Sequence, residues 1–270
     1  MQTGWIDESF EQYKQDERLN WSSLKNILIS PKNFKMAAKM TTKAMTMGTL
    51  VHTLILDKDM RTVVIRPKGN SEFAAWKKEK NAEFETSFTT ELQFSQHFAD
   101  LGLILTDNDT FNSAKMLAAT VHTNPKAVEI IENSKCEVSG YTKTSKIRCD
   151  LIWDEKATIF DIKTTKDASP EGFIQEIKKY LYYGQVGYYL KRANEIMCEE
   201  YFKKFGWIVI ENTGLHCAVY YADDFLDLGR FTVEKALRIY DECTLSGIWN
   251  GHEDQILTCP SYLMKEMDYE

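Results

Sequence analysis

Two short apolar segments with acids set into them constrain this chain more than anything else in it. They are Lys146 to Trp153 (KIRCDLIW) and Thr158 to Thr164 (TIFDIKT), separated by a polar turn. Asp150 lies in the first, and Asp161-Ile162-Lys163 lies in the second. A hairpin turning about Glu155-Lys156 sets Trp153 opposite Thr158, Ile152 opposite Ile159 and Asp150 opposite Asp161. Cross-strand partners have Cβ atoms ~4.5–5.5 Å apart, and like charges placed there destabilise a sheet. A cation between the two carboxylates relieves that repulsion. Carboxylates supplemented by a backbone carbonyl and water suit Mg²⁺ or Mn²⁺ better than zinc. Strand alternation puts Lys163 on the face of Asp161, while Phe160 and Ile162 point into the opposite layer. A lysine partly buried beside a cation should have a lowered pKa, which suits it to orient or deprotonate an attacking water. The bland alternative is a surface hairpin with scattered charges; the apolar residues flanking the acids argue against it.

With 270 residues the chain is long enough for one large domain with a substantial core. No run of ~18 apolar residues is present, so no membrane partner is expected. The N-terminal segment is acidic and unlike a signal peptide, which leads us to expect a cytoplasmic protein. The six cysteines are scattered without a C-x-x-C pair, a distribution that fits reduced thiols and no iron–sulfur cluster. A net charge of −7 means that any contact with nucleic acid must be local.

Helices are expected over residues 22–29, 31–40 and 46–56, a strand at 62–67, and helices near 71–83 and 89–99. Further helices should start at the caps Asp107 and Asn124-Pro125. A meander follows over 136–141, 146–153 and 158–164. Ser169-Pro170 opens a helix with a break near Leu181, continuing over 182–202. A late hairpin (206–211 and 216–222) and a helix from Asp223 to about Ser246 complete an α+β order, one mixed central sheet flanked by helices. We read one domain over 1–270, with a helical part about 1–134 and the sheet and its helices about 135–270.

Several other residues have the chemistry for a site. His52 shares a helical stripe with Met45, Gly48 and Leu56, where spacing alone favours a hydrogen-bonded core histidine over a ligand. Tyr182, Gln185 and Tyr189 share a helix face that either packs on the sheet or contacts DNA. Lys32, Lys35, Lys39 and Lys43 form a stripe able to track a phosphate backbone, or simply a solvated face. Glu137 opens the first meander strand, as a surface acid or as a further carboxylate for the metal.

Taken together, these segments resemble the RecE, or exonuclease VIII, family of PD-(D/E)xK exonucleases, relatives of the RecB-type and lambda-type nuclease domains. The resemblance rests on LNWSSLKNILISPKNF, MGTLVHTLILD, IRCDLIW, FDIKTTKDASPEGF, YLYYGQVGYYL and GIWNGHEDQILTCPSY, which follow one another in order. It implies a restriction-endonuclease-like core. It also implies that His52, Asp150, Asp161 and the Ile162 carbonyl, with Glu137 as a further candidate, hold Mg²⁺ or Mn²⁺, as two ions. Lys163 would serve the attacking water, and Gln185 and Tyr189 would meet DNA. The implied substrate is the end of double-stranded DNA, degraded 5′ to 3′ to leave a 3′ strand for a single-strand annealing protein. The implied assembly is a ring-like homo-oligomer, a trimer or tetramer. Two departures stand out: Cys149 replaces the proline of the "PD" pair, and the second acid is Asp rather than Glu.

Overall fold

In a computed structural model the chain is described over residues 2–36, 43–56, 63–254 and 256–259. It opens with strand β1 (Gly4–Ile6), helix α1 (Phe10–Gln15) and helix α2 (Trp21–Leu24), which runs directly into a 3-10 turn over Lys25–Leu28. Helices α3 (Pro31–Met36) and α4 (Lys43–Leu56) follow. Next come strand β2 (Val63–Arg66), helices α5 (Asn70–Glu83) and α6 (Glu91–Asp100), strand β3 (Ile104–Asp107), and helices α7 (Asn108–Thr120) and α8 (Pro125–Glu132). The meander is β4 (Lys135–Tyr141), β5 (Lys146–Trp153) and β6 (Thr158–Thr165). Helices α9 (Pro170–Tyr180) and α10 (Tyr182–Met197), strands β7 (Lys204–Glu211) and β8 (Cys217–Tyr221), and helix α11 (Leu226–Ser246) complete the fold. No helix among the described residues is long and apolar enough to cross a membrane.

The helix starts lie where side chains can accept the first free N–H groups. Asp107 accepts from Asp109 and Thr110, Asn124 from Lys126 and Ala127, and Ser169 from Gly172. The break at Leu181 is a left-handed residue, φ 57°, whose carbonyl accepts from Gly184 at 3.0 Å and so starts α10 in a new direction. The expected helix over 182–202 ends earlier, at Met197. Cys198 turns left-handed, and the Asn194 amide both donates to the Phe202 carbonyl and accepts from its N–H. Strands β1 and β3 and helix α1 were not expected from the sequence. Each is too short to show a period, and β1 is defined only by pairing with β4. The second half of the expected helix over 31–40 lies outside the described residues.

Six strands form one sheet in the order β1-β4-β5-β6-β7-β8, antiparallel except for β6 beside β7. That parallel pair is possible because α9 and α10 supply the crossover. Helices α2, α9, α10 and α11 cover one face, where Phe173, Val186 and Val233 meet Ile147, Ile159 and Trp207. Helices α4, α7 and α8 cover the other, where Leu50, Val51, Leu117 and Ile130 meet Leu151, Phe160, Ile162 and Ile208. The N-terminal half is thus no separate layer, since it supplies an edge strand and one whole cover of the sheet. A smaller core of Phe94, Phe98 and Leu105 lies beside the parallel pair β2–β3.

Helices α10 and α11 cross at glycines. A Cβ on Gly187 would lie 2.3 Å from the Gly229 carbonyl carbon, which is backbone and cannot swing aside. Gly187→Ala should therefore lower the melting temperature by several degrees, since overpacking costs ~1–3 kcal/mol and each kcal/mol is worth ~2–4 °C in a chain of this size. Gly48→Ala is the control. Among the described residues its new Cβ meets only Thr164 Oγ1, at 3.6 Å, so a thermal melt should show no loss and up to ~1 kcal/mol of gain.

Candidate active site

The β5–β6 hairpin has the expected register but pairs over only three positions, Leu151↔Phe160, Ile152↔Ile159 and Trp153↔Thr158. Its turn is a 3-10 segment, Asp154–Lys156, closed by left-handed Ala157 rather than a two-residue turn. Beyond Leu151 the strands part, β5 staying with β4 and β6 with β7. The expected face-to-face pairing of Asp150 and Asp161 is accordingly corrected. Asp150 Oδ2 instead accepts the Ile162 N–H at 2.7 Å, supplying a side-chain acceptor where the ladder would have supplied a carbonyl.

Strand β5 also changes face at this point. Ile147 and Cys149 belong to one core, whereas Leu151 and Trp153 belong to the other. On β4 the register runs Cys136↔Leu151 and Val138↔Cys149, leaving Glu137 and Asp150 unpaired between them. Glu137 is left-handed, with φ 55°, a conformation that costs a non-glycine residue ~1 kcal/mol or more and tends to occur where geometry serves a ligand. Arg148 Nε holds its carboxylate at 2.7 Å.

Into this gap α4 delivers His52. Its Nε2 lies 2.7 Å from the Ile162 carbonyl, and its Nδ1 lies 3.3 Å from Asp150 Oδ2. Burial, with the Asp161 and Glu137 charges adding to it against the pull of His52, pushes the Asp150 pKa up to about 7. Ligand atoms of His52, Glu137 and Asp150 all fall within 4.8 Å of one another. One imidazole, two carboxylates and a neighbouring carbonyl make a donor set that fits a divalent cation.

From the other face of the sheet α10 reaches Asp161 and Lys163. Asp161 is buried, pairs with Lys163 through Oδ2, and accepts from the buried Gln185 amide through Oδ1. Its two oxygens are thus engaged by Lys163 and Gln185, although a second ion expected from the sequence would need it. The Lys163 ammonium sits 4.7 Å from the Tyr182 ring centre. Burial alone would lower its pKa, but Asp161, Tyr182 and Asp150 together hold it above the usual lysine range. The lowered value expected from the sequence supposed a neighbouring cation, and this corrects it for the protein alone.

Tyr182 stacks on Tyr180 at 5.6 Å, and burial raises its pKa to about 12. Tyr189 is half-buried, packs edge-on against Phe205, and has its pKa raised well above the usual tyrosine range by burial, with the acids of the site adding to it. Gln185 is committed to Asp161. Lys32 and Lys35 are exposed on α3, with Lys35 over the Trp249 ring at 4.7 Å. Lys39 and the Lys43 side chain lie outside the described residues. Sequence reasoning missed Arg148, which had a signal in its place two residues before Asp150.

The sequence matches the family described as "PDDEXK-like domain of unknown function (DUF3799)" over residues 20–259. The chain belongs to this family. Its α+β fold, a mixed sheet flanked by helices, is the one expected from the sequence. The crystal structure named "Putative exonuclease" from Eubacterium rectale is similar, with a TM-score of 0.56 at 14% identity, covering 98% of this chain and 100% of that one. At that identity the likeness shows the fold. No curated protein matches the sequence.

The raised Asp150 pKa has a sign that can be tested. Between the ordinary carboxylate value and about 7 the unfolded chain releases a proton that the folded protein keeps, so stability falls as pH rises through that window, by at most ~1.4 kcal/mol per unit. In EDTA, Asp150→Asn should melt above wild type at pH 8, and the gap should close toward pH 4. Mg²⁺ should raise the melting temperature of wild type and not of the variant. Scanning calorimetry that finds the variant less stable at pH 8 in EDTA would show that the carboxylate is not held at a cost.

Proposed function

We propose that the protein is a divalent-metal-dependent deoxyribonuclease that degrades linear duplex DNA from its ends. One observation carries this reading. Where β5 and β6 part, His52, Glu137, Asp150 and the Ile162 carbonyl converge from one side, and the Asp161–Lys163 pair from the other. His52, Glu137, Asp150 and Ile162 would hold the ion. When bound, it supplies a Lewis acid for the charge that develops on a phosphate under attack.

The remaining chemistry is done by the chain. Lys163 is fixed between Asp161 and the Tyr182 ring, so its ammonium can hold a water by hydrogen bonding and keep it aligned. Asp161 sets the lysine's position, and Gln185 sets that of Asp161 through its buried amide. Tyr182, with exposed Tyr180 stacked on it, offers a surface for an unpaired base, and Tyr189 lines the same side. Action at ends with 5′ to 3′ polarity, leaving a 3′ strand for an annealing protein, is supported by the sequence resemblance to the RecE group. The name given to the Eubacterium rectale structure agrees with an exonuclease.

Linear duplexes labelled at either end, and a covalently closed circle, should be digested with Mg²⁺, Ca²⁺ or EDTA. We expect Mg²⁺-dependent release of 5′ label from linear DNA and an intact circle. Asp161→Ala and Lys163→Ala should each slow turnover by at least ~10²-fold, which is ~2.7 kcal/mol of transition-state stabilisation. Cutting of the closed circle would replace the end-directed reading with a structure-selective endonuclease. Binding without Mg²⁺-dependent cutting would make the protein a DNA-end-binding one.

An acidic chain of net charge −7 gains little long-range attraction to DNA, since charges are screened beyond ~8 Å at physiological salt. We therefore include a closed homo-oligomer around the duplex in the reading, because cyclic assemblies are common among identical subunits. Light scattering should give a mass of several chains. A monomer that degrades kilobase duplexes without dissociating would refute this part.

A further inference from the structure

The register Cys136↔Leu151 and Val138↔Cys149 sets Glu137 of β4 and Asp150 of β5 at opposing positions. Each of these two carboxylates is held by one oxygen. Arg148 Nε donates to Glu137 Oε2 at 2.7 Å. The Ile162 N–H donates to Asp150 Oδ2 at 2.7 Å, and His52 Nδ1 lies 3.3 Å from that same oxygen. Among the described residues no group donates to Glu137 Oε1 or Asp150 Oδ1. Each acid therefore has one oxygen committed to the protein and one left for a ligand.

Arg148 is itself fixed by its surroundings. It stands across from Ser139 on β4, and its Nη1 donates to the Ser139 hydroxyl at 2.9 Å and to the Glu8 carbonyl at 3.1 Å. Ser139 is buried, and the chain around Glu8 is tied down twice, by the pairing of β1 with β4 and by the Tyr141 hydroxyl, which donates to the Glu8 carboxylate. A guanidinium is a rigid planar fork, so anchoring Nη1 also aims Nε. Glu137 is constrained from its own side by a left-handed backbone, φ 55°. Turning its second oxygen toward His52 and Asp150 would break a charge-assisted hydrogen bond, the stronger kind.

Divalent ions differ in how they take carboxylates. Ca²⁺ accepts six to eight oxygens, often both from one carboxylate, whereas Mg²⁺ demands six in near-octahedral geometry and keeps several waters. Two acids that offer one oxygen each suit the second habit. Resting on the reading of this site as a cation centre, we propose that Arg148 is a positioning residue that sets its selectivity. By confining Glu137 to a single oxygen, Arg148 favours Mg²⁺ or Mn²⁺ over Ca²⁺. The guanidinium charge opposes every divalent ion alike, so the ratio of affinities isolates the effect of position from that of charge.

The test uses the full chain, stripped of metal and loaded with Mn²⁺. Displacement of Mn²⁺ by Mg²⁺ or by Ca²⁺ is followed through the paramagnetic resonance signal of the free ion, which needs no DNA and no turnover. Arg148→Met should shift the ratio of Ca²⁺ to Mg²⁺ affinity by ~10-fold toward Ca²⁺, in the range by which partners of metal ligands tune their sites. Arg148→Lys keeps the charge and loses the fork, so it should shift the ratio the same way. Ser139→Ala, which leaves every charge in place, should give a smaller shift of the same sign and carries the comparison if Arg148→Met does not fold. In a Glu137→Gln background Arg148→Met should change the ratio no further, because the oxygen it releases belongs to Glu137. An unchanged ratio in the Arg148 variants, whatever their melting temperature, would make Arg148 structural and overturn the proposal. A wild-type ratio in Arg148→Lys with a shifted one in Arg148→Met would put the effect in charge and overturn it too. Wild type that takes up no Mn²⁺ would remove the cation site and this inference together, whereas wild type that binds Mn²⁺ and cuts no DNA would remove the nuclease reading alone.

Discussion

Everything at the site depends on two neighbouring strands ceasing to pair after three positions. A continuous β5–β6 ladder would spend the Ile162 N–H on a carbonyl and close the sheet between its two covering layers. Asp150 takes that N–H instead. The strands can then diverge without leaving a buried donor unsatisfied, which would cost ~1–3 kcal/mol. Through the opening, α4 on one face and α10 on the other reach the same few ångströms, His52 arriving from the first and Gln185 from the second. An unbroken sheet would hold those two helices ~10 Å to either side of itself, too far apart to share a site.

The opening concentrates features that a protein optimised only for stability would avoid. Asp150 has its pKa raised by burial, and Glu137 lies in the left-handed region. Each is a local conflict, and they fall within one neighbourhood while the rest of the sheet packs with regular alternation. Stored strain and uncompensated charge in one place are what a binding site looks like before its ligands arrive. The surrounding packing makes this tolerable. Gly184 against Trp21 and Gly187 against Gly229 bring α10 into direct contact with α2 and α11, so the helix that positions Asp161 and Lys163 cannot shift to relieve them.

The charges at the site are paired unevenly. The net charge of −7 describes the whole molecule, whereas the opening itself holds the Lys163 ammonium beside Asp161. The site carboxylates are not equally free. Asp161 is neutralised by Lys163 and Glu137 by Arg148, which leaves Asp150 as the acid whose charge most needs a cation.

The sequence by itself determined most of the elements, including the two apolar strands that carry Asp150 and Asp161. Alternation placed Phe160 and Ile162 away from Asp161 and Lys163, caps at Asp107, Asn124 and Ser169 started their helices, and the hairpin register followed from the turn between two apolar runs. These are local effects, readable because period and capping act over a few residues. The tertiary structure alone decided which groups meet. Nothing within a few residues of Asp150 says that its partner is the Ile162 N–H rather than Asp161, because that depends on β4 and β7 drawing the strands apart. Nor does the spacing around His52 say that it faces Asp150. Helix stripes fix a side chain's direction on its own helix, and only the packing of one helix on another sets what stands opposite.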